Sequence, residues 1–299
     1  MYLSILINIL EEGFIYGIMA MGVYISYKVL DFPDLSVDGT LPLGACVTAL
    51  MIVNGMSPVA ALLVSFAAGC LAGAVTGLLH VKLKITDLLS GILTMTALLT
   101  VNLLVTGKQS VLYINKLPTI FTDGPVTWLP EAFAPYRRVI VLAVVVAAVK
   151  LIMDWFFKTR IGLMLRAAGS NLQYVTAQAV NPGLVKILGL TLANGLTALS
   201  GSVLAQQARS ASVTSGAGMV VMGLASVIIG TTLLGKVRGV MPTTQVIAGA
   251  VVYKACLAVA TLLRIDTVYL KLLMSALFVV ALVAGRALDR KGGKRHAHG

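Results

Sequence analysis

Apolar residues in this chain neither alternate nor form isolated stripes. They run in long blocks separated by short gaps that carry polar residues, glycine or proline. A run of roughly 17 to 25 apolar residues is the length an α-helix needs to cross a hydrocarbon layer. The runs give about nine spans, within a range of about eight to ten. They lie at approximately 6–29, 39–56, 58–79, 86–106, 138–157, 184–205, 218–235, 239–262 and 267–285. The second and seventh are short and rich in Gly and Ser, which marks them as candidates for broken or re-entrant helices. One stretch, Thr159 to Pro182, follows a different pattern. Leu165, Leu172, Val175 and Ala179 recur there at helical spacing, with Arg166, Ser170, Asn171, Gln173 and Gln178 between them. Pro182 disfavours helical geometry at Asn181, so the spacing predicts a short amphipathic helix ending there. A basic helix held between spans either lies on anionic lipid or docks into a groove of another protein.

The pattern also echoes itself. Leu6 to Val53 reads as an apolar helix, a polar stretch with Ser36-Val37-Asp38-Gly39, and then a Gly/Ala helix. Gly189 to Ile229 repeats that order, with Ser212-Val213-Thr214-Ser215-Gly216 as the polar stretch. Five spans precede the second unit, an odd number, so two such copies stand inverted in the membrane. Inverted repeats with interrupted helices are a transporter arrangement, with the solute route near the repeat interface. The expected fold is therefore an all-α polytopic membrane protein with one transmembrane domain over 1–299. Within it, repeat one covers about 1–157, the amphipathic helix 159–181, repeat two about 184–285, and a basic tail 286–299.

Composition agrees with the pattern. The chain is 58% hydrophobic and 11% charged, with a mean hydropathy of +0.95, and a soluble surface cannot be built from that. On a soluble domain the net charge of +12 would point to nucleic acid. Here the basic residues sit mostly at the ends of apolar runs, where they set topology, and no nucleic-acid partner is expected. Lys28, His80 to Lys84, Lys158, Arg160, Arg166, Lys186, Lys236, Arg238 and the tail from Arg286 fall on one side. The positive-inside rule makes that side cytoplasmic, with the N-terminus outside and the C-terminus inside. Lys108, Lys116, Arg137 and Arg138 fall on the other side in a long loop, and long loops cross with little regard to charge. That loop carries Pro118, Pro125, Pro130 and Pro135, as expected of a surface loop. The N-terminus has no basic n-region or cleavage site, so 6–29 reads as a retained span.

Few residues carry chemistry. The stretch Asp31 to Pro42 holds three acids, two prolines and a glycine, so continuous helix is not expected there. Two readings stay open: an irregular segment lining a polar cavity, or a solvated loop in which Asp38 or Thr40 caps the next helix. Glu11 and Glu12 lie near the outer end of the first span, where they favour a helix N-terminus. Lys254 lies mid-span and must snorkel or find a partner, whereas Lys150 and Asp154 sit near a span end. Gly69, Gly73 and Gly77 form a small-residue face for helix packing. Cys46, Cys70 and Cys256 are scattered and read as packing residues. Gly230 to Val237 nearly fits the phosphate-binding loop, but Val237 replaces the hydroxyl that magnesium needs and no strand precedes it. No His, Ser or carboxylate arrangement is catalytic, and neither a metal nor a cofactor is expected.

Arg160-Ile-Gly-Leu-Met-Leu-Arg-Ala-Ala-Gly-Ser-Asn171, followed by Asn194-Gly-Leu-Thr-Ala-Leu-Ser-Gly201, resembles permease subunits of bacterial ABC importers of the branched-chain amino acid class. Phe32-Pro-Asp-Leu-Ser-Val-Asp-Gly-Thr40 with Pro42 to Ala45 is similar to a subgroup linked to tryptophan and tyrosine uptake or to uncharacterised substrates. The resemblance implies that 159–181 is the coupling helix, seated in a groove of a separate cytoplasmic ATPase subunit. Arg160, Gly162, Arg166, Ala168, Gly169 and Asn171 would then form the contact. It further implies a second permease chain (a homodimer), an extracytoplasmic solute-binding protein, and a place in the bacterial inner membrane. The translocation path would draw on Asp34, Ser36, Asp38, Thr40, Asn194, Gln206, Gln207, Ser212 and Thr214. Asn194, Gln206, Gln207, Ser212 and Thr214 would offer neutral hydrogen bonds suited to a zwitterion. The rival readings are an ion-coupled secondary transporter working through Asp34, Asp38 or Lys254, an ABC permease for a sugar or nucleoside, and a membrane enzyme.

Overall fold

The computed structural model describes residues 2–123, 136–170, 172–235, 237, 239–262 and scattered positions between 269 and 283. Most of the span expected at 267–285, the tail, and Asn171, Lys236 and Arg238 lie outside the described residues. The chain forms α1 (Tyr2–Val23), which continues as a π-helical turn Tyr24–Val29, then α2 (Val37–Val53), α3 (Pro58–Val81) and α4 (Asp87–Val105). A short strand β1 (Val111–Tyr113) and α5 (Arg137–Phe156) follow, then α6 (Arg160–Ser170), α7 (Leu172–Ala177) and α8 (Pro182–Ala208). The order closes with β2 (Ser210–Ser212), α9 (Met219–Leu234) and α10 (Pro242–Leu262). Six of the described helices are long and apolar enough to cross a membrane: Leu3–Val29, Pro58–Val81, Asp87–Val105, Arg137–Phe156, Pro182–Ala208 and Pro242–Leu262. The apolar helices α2 and α9 fall just short of that length. The protein is mainly helical and polytopic.

Local chemistry explains the helix starts. Pro58 and Pro182 occupy the first turn of α3 and α8, where a missing N–H costs nothing. Ser57 caps α3 by accepting from Ala60 N at 3.2 Å, and Asn181 caps α8 by accepting from Gly183 N at 2.9 Å. Here the amphipathic segment differs from its expected form. Its helical part ends at Ala177 rather than at Asn181, with Ala179 in the left-handed region at φ 57°. Pro182 therefore opens α8 and does not terminate the helix before it.

α8 is the helix around which the others pack. Its 27 residues rise about 40 Å, and α1, α2 and α3 lie against it. α1 runs antiparallel to it, with Ser200 donating to the Ile15 carbonyl at 2.7 Å and Gly22 facing Ala193. α2 runs parallel to it in a constant register, pairing Thr40 with Asn194, Gly44 with Ala198 and Thr48 with Ser202. Close approach here depends on glycine. A Cβ at Gly44 would collide with the Ala198 carbonyl, and one at Gly201 with the Leu41 carbonyl. Ser65 of α3 joins Thr48 at 2.7 Å and donates to the Gly44 carbonyl at 3.1 Å, so α2, α3 and α8 share a buried hydroxyl cluster. α9 and α10 pack on each other and on α1. At the far end of α8, β1 and β2 pair antiparallel with Leu112 opposite Ala211. Nothing in the sequence pattern announced that sheet.

Candidate translocation and coupling sites

Pro33 bars helix at Phe32, and Asp31 takes a left-handed φ of 53°, so the chain leaves the π-helical turn as an irregular segment. Asp34 then folds back on its own backbone, accepting from Ser36 N at Oδ1 over 2.8 Å. Its other oxygen accepts from Asn194 Nδ2 of α8 at 2.7 Å. Asn194 Oδ1 in turn accepts from Ser36 Oγ at 3.0 Å and Thr40 Oγ1 at 2.7 Å. Asp34 is 4% exposed, and Ser36, Thr40 and Asn194 are fully buried. Among the described residues no cationic side chain pairs with Asp34. Neutral donors alone hold this carboxyl between α2 and α8, where an unsatisfied polar group is expensive.

Asp38, four residues on, reaches a different part of the chain. Its Oδ2 accepts from Gly218 N at 3.0 Å and its Oδ1 from Val220 N at 2.8 Å. These N–H groups belong to the start of α9, where Gly218 adopts a φ of 89° that favours glycine. Asp38 thus caps α9, not its own helix, and its charge meets the positive end of the α9 dipole. Pro42 in α2 has no N–H to bond the Asp38 carbonyl, and a Cβ at Gly216 would collide with that carbonyl. The starts of the two short helices therefore interlock.

The other expected path residues form a separate group. Gln206 accepts from Ile120 N at 2.9 Å and donates to the Pro58 carbonyl at 3.2 Å, and Gln207 donates to Glu11 at 3.2 Å. Ser212 and Thr214, 3.1 Å apart, lie beside the sheet. Asp34, Ser36, Thr40 and Asn194 thus converge on one site, with Asp38 linking it to α9, while Gln206, Gln207, Ser212 and Thr214 occupy the sheet end. Lys254 finds Glu12 at 2.7 Å and sits 4.2 Å from the Tyr16 ring centroid. Lys150 pairs with Asp154 at 2.6 Å, and Asp154 also accepts from Thr243 at the start of α10. Asn102 of α4 was not singled out in the sequence, yet it is buried and donates to the Gly39 carbonyl at 3.1 Å. The available signal was a lone amide in an apolar span.

At the opposite end, α6 lies against the π-helical turn of α1. Arg160 and Arg166 are exposed, with the Arg166 guanidinium 4.9 Å from the Phe157 ring centroid, and Phe157 meets Tyr24 edge to face at 6.2 Å. Gly162 and Ala168 are buried against the chain itself. A Cβ at Gly169 would collide with the Val29 carbonyl, so the close approach at this glycine is intramolecular. Cavities of about 480 and 460 Å³ flank α6, each lined by Asp31, Gly169 and Ser170. Gly69, Gly73 and Gly77 face Ala198, Leu190 and Ile187 of α8 respectively.

Comparison with known proteins agrees with this architecture. Residues 5–282 match the family described as branched-chain amino acid transport system / permease component. The chain is 39% identical to a tyrosine transport system permease protein of Clostridioides difficile, over 95% of this chain and 92% of that one. It is 29% identical to an uncharacterised protein of Rickettsia prowazekii, over 96% of this chain and all of that one. With the ribose import permease protein of Bacillus subtilis it shares 27% identity, over 96% of this chain and 84% of that one. No solved structure matches the chain significantly. The family is one of transport permeases, not of catalytic enzymes. On this match, which covers nearly the whole length, the chain belongs to the branched-chain amino acid transport system / permease component family and is a membrane permease subunit of an ABC importer.

Proposed function

We propose that this permease carries an aromatic amino acid inward by alternating access, driven by a separate ATPase subunit that grips α6. The single observation that carries the coupling reading is the seat of α6: Arg160 and Arg166 are exposed while Gly169 abuts the Val29 carbonyl. A push on α6 is thereby passed to the end of α1 with no compliant side chain between. The identity with the tyrosine permease supports the solute class. Lys28, Lys82, Lys84, Lys158 and Lys186 gather at the α6 end, which supports a cytoplasmic placement of that end. An inverted repeat is supported by the antiparallel α1 and α8, each followed by an irregular segment and a short helix. A homodimeric permease pair and an extracytoplasmic solute-binding protein complete the assembly. In this scheme Asp34, Ser36, Asp38, Thr40 and Asn194 form the moving junction beside the path, and Gln206, Gln207, Ser212 and Thr214 its outer approach. The test is to purify the chain with the products of its neighbouring genes and reconstitute it. ATP-dependent uptake of L-tyrosine with a co-purifying ATPase is the expected result. Transport by the lone chain under an ion gradient overturns the reading. The similarity to a ribose permease makes D-ribose the competing solute in the same assay.

A further inference from the structure

Asn102 lies in the last turns of α4 and is fully buried. Its bond from Nδ2 to the Gly39 carbonyl fixes which way the amide faces. Oδ1 is then left as an acceptor to which no described residue donates. Buried carbonyls nearly always find a donor, and one without a partner asks for a reason. Asn102 also lines a groove of about 250 Å³ between α4 and the segment leading into α9, with Asp38, Met95, Leu99, Val213 and Thr214. The walls are chiefly apolar, and the Asp38 carboxylate is already engaged by the α9 N–H groups. Polar groups within a membrane bundle face its interior or a cavity, not lipid. The groove touches Asp38 and Ala217, the residue before the Gly218 that Asp38 holds, so whatever occupies it lies beside that junction.

We infer that this groove holds the transported solute and that Asn102 Oδ1 accepts a hydrogen bond from it. The inference rests on the importer reading above and adds a site to it. Met95, Leu99 and Val213 can cover an aromatic ring, and Asn102 Oδ1 can accept from an N–H or O–H at the polar end of the solute. An aromatic amino acid offers its ammonium or its phenolic hydroxyl. The volume lies just below that of sites for drug-sized ligands and suits a single small metabolite. Oδ1 is closed over in this conformation, so the bond forms as α4 and residues 213–217 part.

The test uses the complete importer in proteoliposomes, with Leu99→Cys placed in a background whose three native cysteines are replaced by alanine. L-Tyrosine is expected to protect the Leu99→Cys variant from maleimide. Adding Asn102→Leu should raise the half-protecting concentration about tenfold or more, the effect of losing roughly 1.4 kcal/mol. An equal rise for L-phenylalanine identifies the ammonium as donor, and a rise confined to tyrosine identifies the phenol. Both support the site. Leu99→Trp leaves the Gly39 bond intact and fills the groove, so it should abolish uptake by an assembled complex. Tyrosine uptake without protection, protection indifferent to Asn102→Leu, or normal uptake by Leu99→Trp overturns the site alone. A disulfide between two copies of the Leu99→Cys variant also overturns it, because the groove then holds a second chain. Uptake of D-ribose and of no amino acid removes the solute reading as well.

Discussion

Val220 N donates to Asp38 Oδ1 over 2.8 Å, although 182 positions separate them in the chain. The bond fastens the first turn of one short helix to the first turn of another. Asp38→Ala removes the cap from α9 and should lower stability by about 1–2 kcal/mol. Asp38→Asn keeps one acceptor and should lose less. Thermal unfolding of the detergent-purified complex ranks the three proteins, and equal melting temperatures would contradict the cap.

The Asp34–Asn194 pair makes a second prediction. Asn194→Leu leaves the Asp34 carboxyl without its α8 donor, and Ser36 and Thr40 without a shared acceptor. Hydrogen bonds to charged groups contribute about 1.5–3 kcal/mol, so the double-mutant cycle with Asp34→Asn should show coupling of that order. Additive effects would show that the network does not act as a unit.

The Glu12–Lys254 pair should respond asymmetrically. The Lys254 side chain is 12% exposed and that of Glu12 38%. Glu12→Gln leaves a mostly buried ammonium facing a neutral amide oxygen and the Tyr16 ring, whereas Lys254→Met leaves a carboxylate that reaches water. The first change should cost about 1–3 kcal/mol, and the second less than about 1 kcal/mol. Denaturation of both variants decides the order.

At the α6 end, transport and stability should separate. Arg166→Glu forfeits a ring contact of about 0.5–1 kcal/mol and should leave the fold intact while uptake falls more than about tenfold. Gly169→Leu drives a side chain into the Val29 carbonyl, which nothing flexible can relieve, and should uncouple ATP hydrolysis from uptake. Paired measurements of ATPase activity and uptake test both.

The apolar blocks were legible because a long apolar segment in lipid has helix as its one satisfied state. Spans expected at 58–79, 86–106, 138–157 and 218–235 lie within two residues of the observed helices. The irregular path around Pro33 was legible for the same local reason that proline restricts its neighbour. What escaped was non-local. Three-residue strands leave no periodic trace, so the β1–β2 pairing was invisible. Asp38 looked like a cap for the helix it begins, because sequence shows which residue offers an acceptor but not whose N–H arrives. Asn102 was hidden by its apolar neighbours.

The small sheet joins the 111–113 stretch to residues 210–212, and only six residues separate its last strand from α9. That spacing leaves little slack. A protein that settles on the sheet and displaces it by a few ångströms tugs on the Asp38-held helix start almost as directly as if it gripped that helix itself. In the proposed scheme, arrival of cargo at one surface and release of the bolt within the bundle would be a single mechanical event.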